Sequence, residues 1–172
     1  MTLRFGGQLG EPVMGNFYTD IIKKDPRFKS LKAIHDMGLL EPVTRQLVQQ
    51  IIADAAAQGI KLMAYETYRS QERQAQLFAQ GATKLKTVGT HHYGISCDLV
   101  KDVGGEPSWK GDFKFLGKLA KKNKVIWGGD WGKPGVKPKF YDGVHVQRCT
   151  VAKQKALFAG TWYPDEDYDP YK

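Results

Sequence analysis

Two short segments, each with a histidine and an aspartate, constrain this chain most. Residues 90–98 read THHYGISCD, and residues 142–145 read DGVH. Together they offer two imidazoles and one carboxylate to a metal ion, with one further carboxylate left over. Three protein ligands and an open fourth position are typical of a catalytic zinc site, whereas structural zinc sites are closed, usually by four ligands rich in cysteine. The spare carboxylate suits a base that takes a proton from bound water. The pattern therefore predicts a catalytic zinc site.

Strand alternation separates Asp98 from the core. Successive side chains of a strand point to opposite faces. Asp98 therefore shares a face with the small residues Gly94 and Ser96, and Cys97 points to the apolar side. The small residues leave space beside Asp98, which suits a cleft. His91 reaches Asp98 only if the chain turns between them, and glycine at position 94 permits such a turn.

The second segment follows the same logic. Val144 and Val146 face the core of a predicted strand, so His145 faces the other side. Asp142 enters from the loop just before this strand. Asp142 and His145 are then able to reach one metal-bound water, the first as base and the second as ligand.

Length and composition bound the class of protein. A chain of 172 residues fits one domain that buries a core without disulfides. Its two cysteines, Cys97 and Cys149, form no CxxC pair and are interpreted as packing residues. No apolar run is long enough to span a bilayer. Residues 1–25 lack the apolar core of a signal peptide, so we expect synthesis in the cytoplasm and action outside it only after release.

The net charge of +8 predicts anionic surroundings: nucleic acid, a membrane face or an acidic cell-wall polymer. The sequence has no helix-turn-helix, zinc-finger or RNA-binding aromatic signature, so we expect no nucleic-acid partner. Lysines recur every four residues on one face of a predicted helix; they are Lys110, Lys114, Lys118 and Lys122. This lysine stripe either keeps the helix face solvated or holds the protein near anionic polymer.

Hydrophobic periodicity and turn residues predict helices and strands within a single domain, 1–172. An irregular arm of about residues 1–40, with one short helix near 30–36, comes first, and a loosely held tail of about 160–172 comes last. The predicted helices are 42–58, 71–80, 109–123 and 151–158, and the predicted strands are 60–69, 93–101, 125–127 and 141–147. We expect the protein to be a monomer.

Four segments between residues 65 and 147 carry a family resemblance. They are YRS at 68–70 followed by Gln74 and Leu77, HxxGxSxD at 91–98, WGGDW at 127–131, and DxxH at 142–145. In this order they resemble the motifs of the M15 zinc peptidases. That family includes D-Ala-D-Ala dipeptidases and carboxypeptidases and the L-alanyl-D-glutamate endopeptidases of phage endolysins.

The resemblance implies a fold and a metal site. The fold is α+β, with a small antiparallel sheet, helices packed on one side, and the zinc site in a cleft on the sheet, as in M15 and hedgehog-like domains. One Zn²⁺ per chain would be held by His91, Asp98 and His145, with Asp142 as the catalytic base.

The resemblance also implies substrate contacts. Arg69 would steady the scissile carbonyl oxygen or anchor a substrate carboxylate, since a guanidinium is always charged and offers a fork of donors. Ser70 and Gln74 would bind substrate beside it.

Four positions depart from the family pattern. Ser96 stands where alanine is usual, and it is still small. Gly89 stands where serine or threonine is usual, so a supporting hydroxyl is in question. His92 adjoins His91 and competes as a ligand, although only His91 has the HxxG spacing. Gln147 stands where an acidic residue is frequent, which would remove a supporting partner of His145.

The implied reaction is hydrolysis of an amide bond in the stem peptide of bacterial peptidoglycan, which is the expected partner. The favoured bond is L-Ala–D-Glu, cut by a phage-type endolysin during lysis. The alternative enzyme is a D-Ala-D-Ala carboxypeptidase or dipeptidase of the same fold. An alternative of another class is a non-catalytic zinc module that binds cell wall, which the presence of Asp142 disfavours.

Overall fold

A five-stranded antiparallel sheet organises the protein. The computed structural model describes residues 15–131 and 141–172. The strands are β1 (Leu62–Glu66), β2 (Ser96–Val103), β3 (Glu106–Ser108), β4 (Ile126–Trp127) and β5 (His145–Gln147). The order across the sheet is β1-β2-β5-β4, and β3 pairs with the far end of β2. The long central strand β2 therefore has the second site segment, β5, directly beside it.

Five α-helices accompany the sheet within the described residues. They are α1 (Phe17–Asp20), α2 (Pro42–Ala57), α3 (Gln71–Ala79), α4 (Lys114–Lys122) and α5 (Val151–Phe158). Single 3₁₀ turns lie at Ile22–Lys24, Met37–Leu39, Thr90–Tyr93 and Gly128–Asp130. The predicted α+β class with an antiparallel sheet is confirmed. None of the helices in the described ranges is long and apolar enough to cross a membrane.

Helices α2 and α4 cover one face of the sheet. Pro42 opens α2, where its missing N–H costs nothing, and the Glu41 carboxylate accepts the free N–H groups of Val43 and Thr44. The buried core joins both helices to the inner sides of the strands; its residues include Val48, Ile51, Leu99, Leu116, Leu119, Trp127 and Val146. Burial of such side chains stabilises by about 1.5–3 kcal/mol each. The other face of the central strands is left for the cleft.

A β-bulge at Tyr65 changes the face of the residue that follows it. Ala64 pairs with Leu99 and Glu66 pairs with Asp98, so Tyr65 has no counterpart on β2. Ala64 packs on the core, but Glu66, two residues later, lies with Asp98 on the cleft side. Regular strand alternation would place both residues on one face, and the extra residue moves Glu66 to the other face.

The structure holds the C-terminal tail more firmly than predicted. Arg148 is fully buried, pairs with Glu41 at 3.2 Å, and donates to the backbone carbonyls of Asp165, Glu166 and Tyr168. The Tyr171 hydroxyl donates to the Val125 carbonyl at 2.9 Å. A buried guanidinium keeps several acceptors around it, so residues 165–168 are fixed by their own backbone oxygens.

Other element boundaries shift for local reasons. The short helix expected near 30–36 is absent, and Ile34 instead forms a β-bridge with Tyr68. Helix α4 starts at Lys114 rather than 109, because residues 106–108 pair with β2. The first 14 residues of the predicted arm lie outside the described residues.

Candidate metal centre

Three predicted ligand atoms meet at one point of the cleft. His91 Nε2 lies 3.2 Å from Asp98 Oδ1, His145 Nδ1 lies 3.2 Å from the same oxygen, and the two nitrogens are 3.2 Å apart. All three residues are buried. The ligand atoms thus form an equilateral triangle that could hold one metal ion.

The dimensions and chemistry of this triangle fit zinc. Zinc bound tetrahedrally at about 2.0–2.1 Å separates its ligand atoms by about 3.3 Å, close to the 3.2 Å observed. Burial lowers the pKa of His91, which keeps this imidazole neutral with a lone pair for a metal. Burial alone would raise the pKa of Asp98, but the two histidines hold it well below its usual value. Two imidazoles and one carboxylate are a common donor set for catalytic zinc.

Sheet register and a left-handed glycine bring the three residues together. Asp98 on β2 and His145 on β5 are direct cross-strand partners. His91 arrives on the 3₁₀ turn that ends at Gly94, whose φ of 71° is left-handed. A Cβ at position 94 would lie 2.7 Å from the Leu39 carbonyl oxygen and 2.6 Å from Ile22 Cδ1. Glycine is therefore needed here for its backbone angle and for space.

His92 points away from the metal triangle. Its Nε2 lies 2.9 Å from the Tyr18 hydroxyl, and its ring packs against those of Tyr18, Phe28 and Tyr68. Its Nδ1 faces the Arg69 carbonyl oxygen at 3.2 Å. His92 is thus an aromatic support beneath the turn that carries His91, and it does not compete for the metal.

Gln147 orients His145. The Oε1 atom of Gln147 lies 2.9 Å from His145 Nε2, so an Nε2–H donor leaves the Nδ1 lone pair directed at the triangle. The Thr90 hydroxyl donates to the same Oε1 at 3.3 Å, and Gln147 Nε2 donates to the Cys149 carbonyl at 2.6 Å. The expected loss of a supporting partner at position 147 is therefore wrong, because glutamine itself supplies the acceptor. Thr90 supplies a hydroxyl although Gly89 cannot.

Asp142 lines the same cleft and is not one of the three residues that form the metal triangle. Its pKa is raised, first by burial and then by the negative charge of Asp98. Glycine at position 128 lets the backbone approach Asp142 closely. A Cβ there would lie 2.4 Å from the Asp142 carbonyl oxygen and 3.2 Å from His145 Cβ. The WGGDW segment thus packs its backbone directly against the turn that joins the predicted base to the third ligand.

Arg69 lies beside the triangle and is held by Glu66. Its Nη2 is 2.6 Å from Glu66 Oε2 and 3.6 Å from Asp98 Oδ2. Arg73 contacts the other Glu66 oxygen at 2.6 Å. Burial alone would raise the pKa of Glu66, but Arg69, His91 and Arg73 bring it below its usual value. Sequence reasoning missed Glu66; the signal was an acidic residue at the end of an apolar strand, three positions before an arginine.

Ser70 and Gln74 have different positions relative to the cleft. Ser70 is buried, caps α3 by accepting from Arg73 N at 2.9 Å, and donates to the Ser30 carbonyl. It does not line the cleft. Gln74 does line it, and its Nε2 donates to the Leu85 carbonyl at 2.7 Å, which ties down the loop before His91. The structure therefore places Gln74 at the cleft and Ser70 at the start of α3 as a helix cap.

The cleft is large enough for a short peptide. Its volume is about 630 Å³. Its floor holds the metal triangle, Asp142 and Arg69, and its walls include aromatic and aliphatic side chains; these are Tyr65, Leu77, Leu85, Trp109, Trp131, Val144 and Val151. A few polar groups converging within a largely apolar concavity are typical of a substrate site.

Sequence relatives carry names of one activity. The chain is 29% identical over 140 residues to the peptidoglycan L-alanyl-D-glutamate endopeptidase CwlK of Bacillus subtilis, an alignment covering 69% of this chain and 80% of the relative. It is 29% identical over 123 residues to the L-alanyl-D-glutamate peptidase of Listeria phage A118, covering 67% of this chain but 40% of the phage protein. No protein-family model matches the chain.

Solved structures share the fold. The Serratia marcescens L-Ala D-Glu endopeptidase ChiX superimposes with a TM-score of 0.55 at 20% identity, over 69% of this chain and 86% of that one. The LD-carboxypeptidase LdcB gives a TM-score of 0.50 at 19% identity, over 70% of this chain and 64% of that one. The site and fold define an α+β protein with a candidate metal centre in a cleft. With the sequence relatives, they confirm the resemblance to the M15 zinc peptidases.

Proposed function

We propose that the protein is a zinc peptidase that hydrolyses an amide bond in the peptidoglycan stem peptide, and that the bond is L-Ala–D-Glu. The observation that carries the proposal is the 3.2 Å triangle of His91, Asp98 and His145, with Asp142 in the same cleft and outside the triangle. The names of the two sequence relatives support the substrate and the bond.

The site residues divide the chemistry among themselves. A zinc ion held by the triangle would supply a Lewis acid that activates water and polarises a carbonyl group. Asp142 accepts the proton of the attacking water and returns it to the leaving amine, because its carboxylate lies in the cleft and is not one of the three ligands of the triangle. Gln147 keeps the His145 lone pair directed at the metal.

Arg69 stabilises negative charge near the scissile bond. Its guanidinium is fixed on one side by Glu66 at 2.6 Å, so its remaining donors have a defined direction in the cleft. A fixed cation needs little reorganisation when an oxyanion develops, and it equally suits a substrate carboxylate. Gln74 braces Arg69 through a 3.3 Å hydrogen bond from Nη1.

The bond specificity is tested by digestion of purified peptidoglycan with zinc-loaded protein, followed by mass spectrometry of the released muropeptides. New N-terminal D-Glu is the expected product. Free D-Ala would contradict the proposed bond and support the D-Ala-D-Ala carboxypeptidase or dipeptidase alternative. Wall binding with no hydrolysis would contradict catalysis and support the non-catalytic wall-binding module.

We also propose a phage-type endolysin role in which basic charge holds the enzyme near anionic envelope polymer. The lysine stripe is shorter than predicted: Lys114, Lys118 and Lys122 lie on α4, Lys110 precedes it, and Lys122 pairs with Asp54 at 3.2 Å. Replacement of all four lysines by glutamine should slow lysis of whole peptidoglycan at low salt and leave cleavage of a soluble stem peptide unchanged. The difference should shrink at physiological salt, where the Debye length is about 8 Å. Equal effects on both substrates would make the stripe a solubility feature.

A further inference from the structure

Two aromatic side chains of the cleft wall, Trp109 and Tyr65, have no role in the proposed hydrolysis. Trp109, in the segment between β3 and α4, is 49% exposed and lines the same cleft as the metal triangle. Its ring meets that of Tyr65 edge to face, with centroids 4.7 Å apart. Neither residue takes part in the chemistry proposed above. An indole half exposed at the mouth of a site loses hydrophobic stabilisation unless a ligand covers it.

The backbone directs Tyr65 into the cleft. Tyr65 is the bulged residue of β1, and a bulge re-aims side chains next to a site. It stands one residue before Glu66, which holds Arg69, and its own ring is backed by His35 at 5.3 Å between centroids. Tyr65 thus lies on the strand whose next residue holds Arg69, and Trp109 reaches the same cleft from the segment after β3.

We propose that Trp109 and Tyr65 form a subsite for the sugar ring that carries the stem peptide. This inference rests on the proposed L-Ala–D-Glu specificity. The nitrogen of that alanine is acylated by the lactyl group of a muramic acid, so the pyranose lies about two residues, or about 7 Å, from the scissile bond. A sugar must then fit at the edge of this cleft.

The chemistry of the pair suits a sugar better than the rest of the stem peptide. One face of a pyranose presents C–H groups, which pack on the negative face of an aromatic ring. The first stem residues offer a methyl group and carboxylates, and neither would cover an indole. Substrate carboxylates are better suited to the cations Arg69 and Arg73, which line the same cleft.

Binding without catalysis tests the subsite directly. Isothermal titration calorimetry with glycan strands stripped of their peptides should show binding to the wild-type protein and about tenfold weaker binding to Trp109→Ala. Trp109→Tyr should recover most of the affinity because it keeps an aromatic face. Phe78→Ala is the matched control: Phe78 is 40% exposed and does not line the cleft, so its removal should change nothing.

Hydrolysis of two soluble substrates tests the link to the reaction. One is an N-acetylmuramoyl stem peptide, and the other is the same peptide with a plain N-acetyl group. Trp109→Ala should lower kcat/KM about tenfold for the first and leave the second unchanged. An equal loss of kcat/KM on both peptides would overturn the subsite. Unchanged glycan affinity in Trp109→Ala would overturn it as well. If the wild-type protein cleaves neither peptide yet binds glycan through Trp109, the proposed function fails and the sugar subsite stands.

Discussion

Removal of the Gln147 side-chain amide should weaken metal binding while the ligands stay in place. Gln147→Leu keeps the approximate volume in a position that is 1% exposed, but it deletes the acceptor 2.9 Å from His145 Nε2. His145 is then left with a buried N–H that has lost this partner, and its ring loses the contact that directs Nδ1 to the triangle. Substitution of such supporting partners typically costs 10–100-fold in metal affinity.

Two independent estimates give the expected loss of zinc affinity in Gln147→Leu. A loss of 10–100-fold in affinity corresponds to about 1.4–2.7 kcal/mol. The penalty for a buried donor left without a partner is about 1–3 kcal/mol, which falls in the same range. Thr90→Val should cost less than threefold, because the Thr90 hydroxyl reaches Gln147 only at 3.3 Å and the His145 contact survives.

Zinc affinity measured by competition with a chromophoric chelator checks this prediction, and circular dichroism confirms that each variant is folded. Gln147→Glu is the matched variant, since it retains an acceptor oxygen for His145 and should bind zinc at least as tightly as the wild type. If folded Gln147→Leu bound zinc with unchanged affinity, the argument that Gln147 orients His145 would be refuted. Weakening by Gln147→Glu to the same degree as by leucine would refute it as well.

Four further substitutions separate the roles assigned above. His91→Ala should abolish zinc binding and hydrolysis together, whereas His92→Phe, which retains aromatic packing, should keep stoichiometric zinc; the opposite pattern in elemental analysis would show that the ligand assignment is wrong. Asp142→Asn should keep zinc and lose at least about 100-fold in kcat, as is typical for a general base, while loss of zinc would make Asp142 a ligand instead. Arg148→Met should lower the free energy of unfolding by about 3–5 kcal/mol, because it removes the cation that compensates the buried Glu41 carboxylate and the donor to three tail carbonyls; a loss under about 1 kcal/mol in urea denaturation would show that the tail does not depend on this arginine.

Local sequence signals predicted three of the five described α-helices well. Pro42 with the capping Glu41, and Ser70 as the cap of α3, fix helix starts through contacts with residues only two to four positions away. The predicted helices 42–58, 71–80 and 151–158 therefore differ from the observed ones by at most one residue at either end. The three metal candidates were also identifiable, because spacing within each short segment reflects strand alternation and one glycine turn.

Longer-range geometry decided the rest of the site. The bulge at Tyr65 depends on how β1 and β2 pair, and no alternation pattern within β1 reveals the extra residue that turns Glu66 toward Asp98. The choice between His91 and His92 depends on Tyr18 and Phe28, which approach from the N-terminal arm and enclose one imidazole. Neither contact has a local signature.

The sequence by itself determined which residue types are available to a metal, a base and a substrate, since motif spacing and periodicity act over a few residues. Tertiary structure alone decided that Gln147 supports His145, that Arg148 secures the tail, and that Trp109 joins Tyr65 at the cleft. These contacts close loops between distant parts of the chain. Their formation depends on the register of paired strands and on which faces are buried, and both are properties of the assembled sheet.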